Sequence, residues 1–267
     1  MAIVLASVGG QNKRTSKMGS DRPHIRLYVD LPLRTDVALE PSTAQSHYLL
    51  IVMRQRAGDE VALFNGRDGE WAARVEPLQR RRCRLVVQRQ LRQPAPEPGP
   101  AVLFGPLRRT RQEFLVEKAT ELGATSLEPV MTQHADIDRV NITRLTGIAI
   151  EASEQCGRLT LPHIAPMQRL TERLAGWPRG RRLYHANERG GGQSLLAALQ
   201  AHGPGDLLVG PAGGFDPHEC EALQACEDVV VVSLGPRILR AETAVLAGLA
   251  CWNAVCAAGD FRTASSA

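Results

Sequence analysis

Residues 206–217 read Asp206-Leu207-Leu208-Val209-Gly210-Pro211-Ala212-Gly213-Gly214-Phe215-Asp216-Pro217, a strand, a glycine loop and a helix start in immediate succession. The run 206–209 suits a buried strand. Asp216 at the N-cap, Pro217 in the first helical position and Glu219 completing a capping box predict a helix over 217–226. Between them Gly210, Gly213 and Gly214 leave backbone groups open to a ligand and reach positive φ at low cost. An ordinary tight turn would use the same residues. Neither GxGxxG nor GxxxxGK[ST] occurs, which removes the known phosphate-loop patterns.

A second unit of this kind follows. A valine strand over 229–233 leads through Leu234-Gly235-Pro236-Arg237-Ile238-Leu239-Arg240-Ala241-Glu242-Thr243 into a helix predicted over 241–258, with Val245, Leu249, Trp252 and Val255 on its inner stripe. Ile238 and Leu239 are apolar residues between arginines, which points to a covering role. Glu242 lies in the first helical turn, where the helix dipole favours an anion. A helix-start carboxylate with solvated arginines is the plain structural alternative.

Outward from these units, strands are predicted over 101–104, 126–131 and 181–186, and helices over 111–122, 141–156 and 194–201. Phe114, Leu115, Ala119 and Leu122 line one face of the first helix, which stops at Gly123. Such alternation predicts a parallel sheet covered on both faces, with ligands bound beyond the carboxyl ends of the strands. The alternating prolines of 93–100 mark a linker. Before it, short strands over 26–29, 61–64, 70–75 and 84–88 predict a small barrel. In the third, Trp71, Ala73 and Val75 face inward while Glu70, Ala72 and Arg74 face water. One helix, opened by Ser42 and Gln45, carries Leu49, Leu50 and Met53 on one side.

Composition narrows the function classes. With 43% apolar residues and 22% charged ones, the chain has material for a core and no apolar run long enough to cross a membrane. Six cysteines without a CxxC pair fit neither a disulfide framework nor a zinc ribbon, so a reducing, cytoplasmic setting is expected. Residues 1–19 make a poor signal peptide, because Lys13, Arg14 and Lys17 follow the short apolar run. Residues 1–93 carry 16 basic against 9 acidic groups, and residues 94–267 carry 16 against 19. A basic first part suits a polyanion, nucleic acid foremost, although arginine-rich surfaces also serve solubility.

Four spaced motifs carry a resemblance. Glu117-Lys118-Ala119-Thr120-Glu121-Leu122-Gly123, Glu151-Ala152-Ser153-Glu154-Gln155-Cys156-Gly157-Arg158, the Gly210–Gly214 loop and the stretch from Leu234 to Thr243 together resemble the RsmE family of SPOUT-type RNA methyltransferases. His47-Tyr48-Leu49 through Arg54, Gly58-Asp59-Glu60-Val61 and Phe64-Asn65-Gly66 are similar to its PUA-like barrel. The resemblance implies an α/β fold, a trefoil-knotted parallel-sheet domain preceded by that barrel. The divisions are an extension 1–21, a barrel 22–93, a linker 94–100, a methyltransferase domain 101–262 and a tail 263–267. It further implies a homodimer that uses S-adenosylmethionine, without metal, to methylate N3 of a uridine in 16S ribosomal RNA of the small subunit.

By this resemblance the cofactor is held by Ala186, Asn187 and Glu188, by Gly210, Pro211, Gly213 and Gly214, and by Leu234, Gly235, Ile238, Leu239 and Arg240. Uracil N3 becomes a good nucleophile only as the anion, so a base or a cation near O2 or O4 is required. Arg240 is the candidate for the cation and Glu242 for the base. Arg54, Arg56, Arg80, Arg81 and Arg82, with Arg108, Arg109 and Arg111, are candidate RNA phosphate contacts. Gln155 and Arg158 are candidates for the substrate pocket, RNA or the dimer face, and Cys156 reads as a packed small side chain. Two departures stand out: Ala212 replaces the family's usual glutamate, and Ala241 a usual threonine. Two rivals remain: an enzyme of the same superfamily acting on another RNA such as transfer RNA, and a non-catalytic ribosome-assembly factor.

Overall fold

The computed structural model describes residues 22–135, 137–187, 191–211 and 213–257. The extension 1–21, the tail 263–267, Glu188 and Ala212 lie outside the described residues.

The first part comprises β1 (Arg26–Tyr28), β2 (Ala38–Leu39), α1 (Thr43–His47), β3 (Glu60–Phe64), β4 (Glu70–Pro77) and β5 (Cys83–Arg92). The strands pair in the order β1-β3-β4-β5-β2 around one core that includes Leu27, Leu49, Leu63, Val75 and Leu85. Ser42 opens α1 with both bonds of its capping box. The helix then widens into a π-turn over Tyr48–Val52, which rotates the following side chains. Leu49 is therefore buried while Met53 is 38% exposed, a correction to the face read from sequence. A second correction concerns Glu70, expected in water and in fact 2% exposed. Register shifts against β5 at Glu70/Trp71 and Ala72/Ala73 break the simple alternation of β4.

The second part comprises β6 (Ala101–Phe104), α2 (Arg109–Glu121), β7 (Ser126–Met131), α3 (Ile142–Cys156), β8 (His163–Ile164), β9 (Gln168–Arg169) and α4 (Leu170–Ala175). It continues with β10 (Leu183–Ala186), β11 (Gln193–Ser194), α5 (Leu195–His202), β12 (Asp206–Val209), α6 (Pro217–Ala225), β13 (Val229–Ser233) and α7 (Ala241–Trp252). The strands run in the order β11-β13-β10-β12-β6-β7-β8, β9 also pairs with β7, and every pair is parallel. Alternate side chains serve two cores. Phe104, Tyr184, Leu207 and Val232 pack under α2, α5 and α7, and Leu103, Leu183 and Leu208 pack under α4 and α6. Both faces are thus covered, as parallel sheets require.

On α2 the buried positions are Gln112, Leu115, Val116, Ala119 and Thr120, a helical stripe that leaves Phe114 43% exposed and outside the expected face. Helix α7 buries Val245, Leu249 and Trp252 and passes into a π-turn over Asn253–Ala257.

Candidate active site

Strands β13, β10 and β12 lie side by side, with Ala186 level with Val209 on one flank and Val232 on the other. Their carboxyl ends bring together Leu234-Gly235, Ala186-Asn187 and Gly210-Pro211 around one cleft of about 680 Å³. That size falls inside the range of small-molecule sites, roughly 300 to 1,000 Å³. Gly214, Ile238, Leu239 and Arg240 complete the set of sequence-selected residues that line it. Gly213 is not among the lining residues.

Glycine is required in this wall for two separate reasons. A Cβ on Gly210 would stand 2.9 Å from the Phe215 ring, and one on Gly213 2.9 Å from Cβ of His134. Gly214 and Gly235 instead adopt φ of +70° and +120°. Beneath the loop, a Cβ on Gly105 at the end of β6 would meet Pro211 at 2.9 Å. The turn after β7 ties in as well: Gln133 N donates to Glu219 Oε1 at 2.8 Å, and His134 Nδ1 lies 3.3 Å from the Gly214 carbonyl.

The cleft has lining residues that sequence reasoning missed, chiefly His185, Phe215, Cys220, Gln224 and Val231. The His185 and Phe215 rings meet edge to face, centroids 5.2 Å apart at 71°. Burial pushes the His185 imidazole down to about 4, so it is neutral at neutral pH. Its signal in sequence is a lone polar residue near the carboxyl end of an otherwise apolar strand. Among the described lining residues none is acidic, and the charged ones are Arg237 and Arg240, both exposed.

Arg240 is the N-cap of α7, its carbonyl accepting from Ala244 N at 2.8 Å. Glu242, in the first turn of the helix, does not line the cleft. It is 9% exposed, Oε1 lies 3.7 Å from Arg111 Nε, and Oε2 is buried with no hydrogen-bond partner among the described residues. The carboxylate turns toward α2, which gives the expected base no geometric support.

The arginines divide into exposed and engaged ones. Arg54, Arg56, Arg80 and Arg81 are exposed on the first part, with Arg54, Arg80 and Arg81 in left-handed turns. Arg82 pairs with Glu40 at 2.8 Å, Arg109 with Glu113 at 2.8 Å, and Arg108 is the exposed N-cap of α2. Arg158 corrects the expectation of an RNA contact, because it is only 9% exposed. Its guanidinium donates to the carbonyls of Thr120 and Ala124 at 2.9 and 3.0 Å and to Thr160 Oγ1 at 3.1 Å. Gln155 and Cys156 are exposed, the latter against expectation.

The end of α3 is where the two parts meet. Arg26 donates to the carbonyls of Ser153, Glu154 and Arg158 at 2.6, 3.0 and 2.7 Å, and Arg92 to that of Gly157 at 2.9 Å. Both also bind Glu70, at 2.6 and 2.8 Å. The carbonyls of Ser153, Glu154 and Gly157 belong to the helix terminus and its cap, where such groups are left unsatisfied and cations complement the dipole; that of Arg158 lies just beyond. Glu97 of the linker accepts from Leu159 N, Thr160 N and Thr160 Oγ1 at 2.9, 2.8 and 2.6 Å. The motif 151–158 thus joins the parts; the described cleft lining does not include it.

A covered parallel sheet with a cleft at the carboxyl ends of its strands, behind a small β-rich part, is an α/β architecture suited to binding a small molecule. Residues 96–253 match the model of the RNA methyltransferase domain family, and residues 42–88 that of the RNA methyltransferase PUA domain. Ribosomal RNA small subunit methyltransferase E of Rickettsia conorii is 31% identical, over 84% of this chain and 93% of that protein. The protein of the same name from Synechocystis is 30% identical over 80% and 72%. A solved structure of the Neisseria gonorrhoeae protein of that name, bound to S-adenosyl methionine, is 26% identical, with a TM-score of 0.76 over 87% of this chain and 98% of that one. The chain belongs to the ribosomal RNA small subunit methyltransferase E family of RNA methyltransferases.

Proposed function

We propose that this chain transfers a methyl group from S-adenosylmethionine to N3 of a uridine in 16S ribosomal RNA of the small subunit, as a cytoplasmic homodimer. Family membership supports the reaction, and one observation carries the site: among the described residues, loops from three neighbouring parallel strands enclose a cleft whose lining includes most, though not all, of the residues the resemblance implies. The trefoil knot belongs to this reading, as do the divisions at 94–100 and 262. Arg54, Arg56, Arg80, Arg81, Arg108 and Arg109 belong to it as RNA contacts.

The residues present fit the cofactor. Gly210 and Gly214 bring main chain to the cleft surface without Cβ atoms, and Leu234 and Leu239 offer apolar cover, whereas Ile238, expected from the sequence to be covering, lines the cleft but is 80% exposed. Ala186, Asn187, Gly210, Pro211, Leu234 and Gly235 would hold it. S-adenosylmethionine supplies an electrophilic sulfonium methyl. The chain's task is to hold donor and base in line, and proximity of that kind contributes roughly 7 to 11 kcal/mol. Arg240, on the cleft wall, orients the uracil and stabilises negative charge at its carbonyl oxygens as N3 loses its proton. Glu242 of α7 faces Arg111 of α2 at 3.7 Å and serves the contact between the two helices.

Mass mapping of methylated uridine in small-subunit RNA, from cells with and without this protein, tests the assignment. A methyluridine that disappears with the protein supports it. Methylation of transfer RNA instead, or cofactor binding without transfer to small subunits, rejects it. The second outcome would favour the assembly factor, the reading to which Ala212 in place of glutamate lends weight.

A further inference from the structure

The stretch between β13 and α7 is anchored at both ends and projects between them. Ser233 Oγ accepts from Gly235 N at 3.2 Å, and Leu234 and Leu239 pack against the core that holds Val232, Val245 and Leu249. Gly235, Pro236, Arg237 and Ile238 are exposed in succession. Ile238, at 80%, is the most exposed large apolar side chain among the described residues, yet it lines the cleft. Exposure to that degree forfeits nearly all that burial of an isoleucine contributes. Arg237 directly before it and Arg240 two residues after it line the cleft as well, and neither has an ion-pair partner among the described residues. Two residues of chain span at most about 7 Å, so one nucleotide can meet all three. The unpaired arginines suit a polyanion there.

Uracil N3 lies on the Watson–Crick edge. Methyl transfer to it needs a uridine that is unpaired and drawn out of its stack, which leaves the faces of the flanking bases bare. We propose that Ile238 takes the place which the target uridine leaves in the RNA stack, while Arg237 holds the phosphate of the extruded nucleotide. Isoleucine is among the apolar side chains that nucleic-acid-binding proteins wedge between bases. The wedge and Arg240 belong to one short stretch, so the side chain that keeps the uridine out stands beside the one that receives its uracil. This inference rests on reading the chain as a uridine N3-methyltransferase.

Two measurements on the full chain test it: calorimetric titration with S-adenosylmethionine, and single-turnover methylation of saturating small subunits from cells that lack this protein. Ile238→Ser is expected to slow methylation by about 10- to 100-fold, since extrusion of a base costs a few kcal/mol, and to keep cofactor affinity within about twofold. Ile238→Met, which retains the apolar bulk, restores the rate to within about threefold. Arg237→Ala lowers the slope of log affinity for small subunits against log salt by about 1, again with cofactor affinity kept. A tenfold loss of cofactor affinity in Ile238→Ser would make the side chain a cover for the donor and overturn the proposal. A change in sedimentation velocity would make it a contact with a second copy, and an unchanged rate would leave it no role; either result also overturns the proposal. Wild type that binds the cofactor and methylates no uridine of the small subunit overturns the reading of the reaction, and this inference with it.

Discussion

Glu70 Oε1 and Arg26 Nε stand 2.6 Å apart, with the two side chains 3% and 13% exposed, at the seam between the two parts of the chain. Arg92 closes the other side of the carboxylate at 2.8 Å. Burial alone would raise the Glu70 carboxyl, but the bonds from Arg92 and Arg26 outweigh it and hold the carboxyl below its ordinary 4.5. A carboxyl lowered on folding contributes stability that is complete above about pH 4.5 and is lost as the pH falls below it. Glu70→Gln is expected to cost roughly 3 to 5 kcal/mol at neutral pH, because two guanidinium groups lose their counter-charge. Urea denaturation at pH 7 and pH 4 checks both halves: wild type and variant differ at the first and converge toward the second.

Arg158 and the exposed arginines should separate cleanly. Arg158→Ala removes the guanidinium bonds to the carbonyls of Ala124 and Thr120, leaving the latter with Gly123 N, and is expected to lower stability by roughly 3 kcal/mol, with the salt dependence of RNA binding unchanged. Arg80→Ala and Arg81→Ala should leave stability intact and reduce the slope of log affinity against log salt by about 1 for each RNA phosphate that is no longer neutralised. Filter binding across a salt series, beside thermal melting, distinguishes the two behaviours.

Gly105→Ala acts on the cleft from below. Its methyl would press on Pro211 at 2.9 Å and lift the glycine loop. Overpacking of this kind costs roughly 1 to 3 kcal/mol, so the affinity for S-adenosylmethionine should fall by about 5- to 100-fold. Unchanged cofactor affinity in a folded variant would show that the Gly210 loop is no part of the cofactor site.

Arg240 and Glu242 are two residues apart and should behave differently. Arg240→Ala is expected to slow single-turnover methylation by about 10² to 10³, the loss typical of a removed charge-stabilising group. Glu242→Gln should slow it by less than about tenfold, because its carboxylate faces Arg111 and not the cleft. A Glu242→Gln loss as large as that of Arg240→Ala would restore the glutamate as the base.

The parts of this structure that are legible in the sequence are those with a local cause. The capping boxes at Ser42 and Asp216, the apolar runs that form β6, β12 and β13, and the glycine loop between Val209 and Phe215 each specify their own conformation. Features that depend on distant partners are not legible. Glu70 is buried because β4 slips its register against β5 and two arginines close on it. Arg158 reads as a surface cation because nothing nearby in sequence announces the carbonyls of Thr120 and Ala124. His185 is hidden for a different reason: strand β10 itself, and not a loop beyond it, contributes that stretch of the cleft wall. The two-residue strands β2, β8, β9 and β11 are too short to show any period.

Arg26 and Arg92 grip the end of α3 through main-chain oxygens, while their side-chain partners, Glu70 for both and the Phe64 ring for Arg26, belong to the first part. Any residue that ends a helix in the same place offers those oxygens. Substitutions at the exposed Gln155 and Cys156 can therefore accumulate without loosening the joint, whereas Glu154, whose Oε1 accepts from Tyr28 N at 2.9 Å, and the two arginines are not replaceable in this way. The fastening has a tolerant socket and an intolerant plug, and a search for variants in which the two halves work independently belongs on the plug.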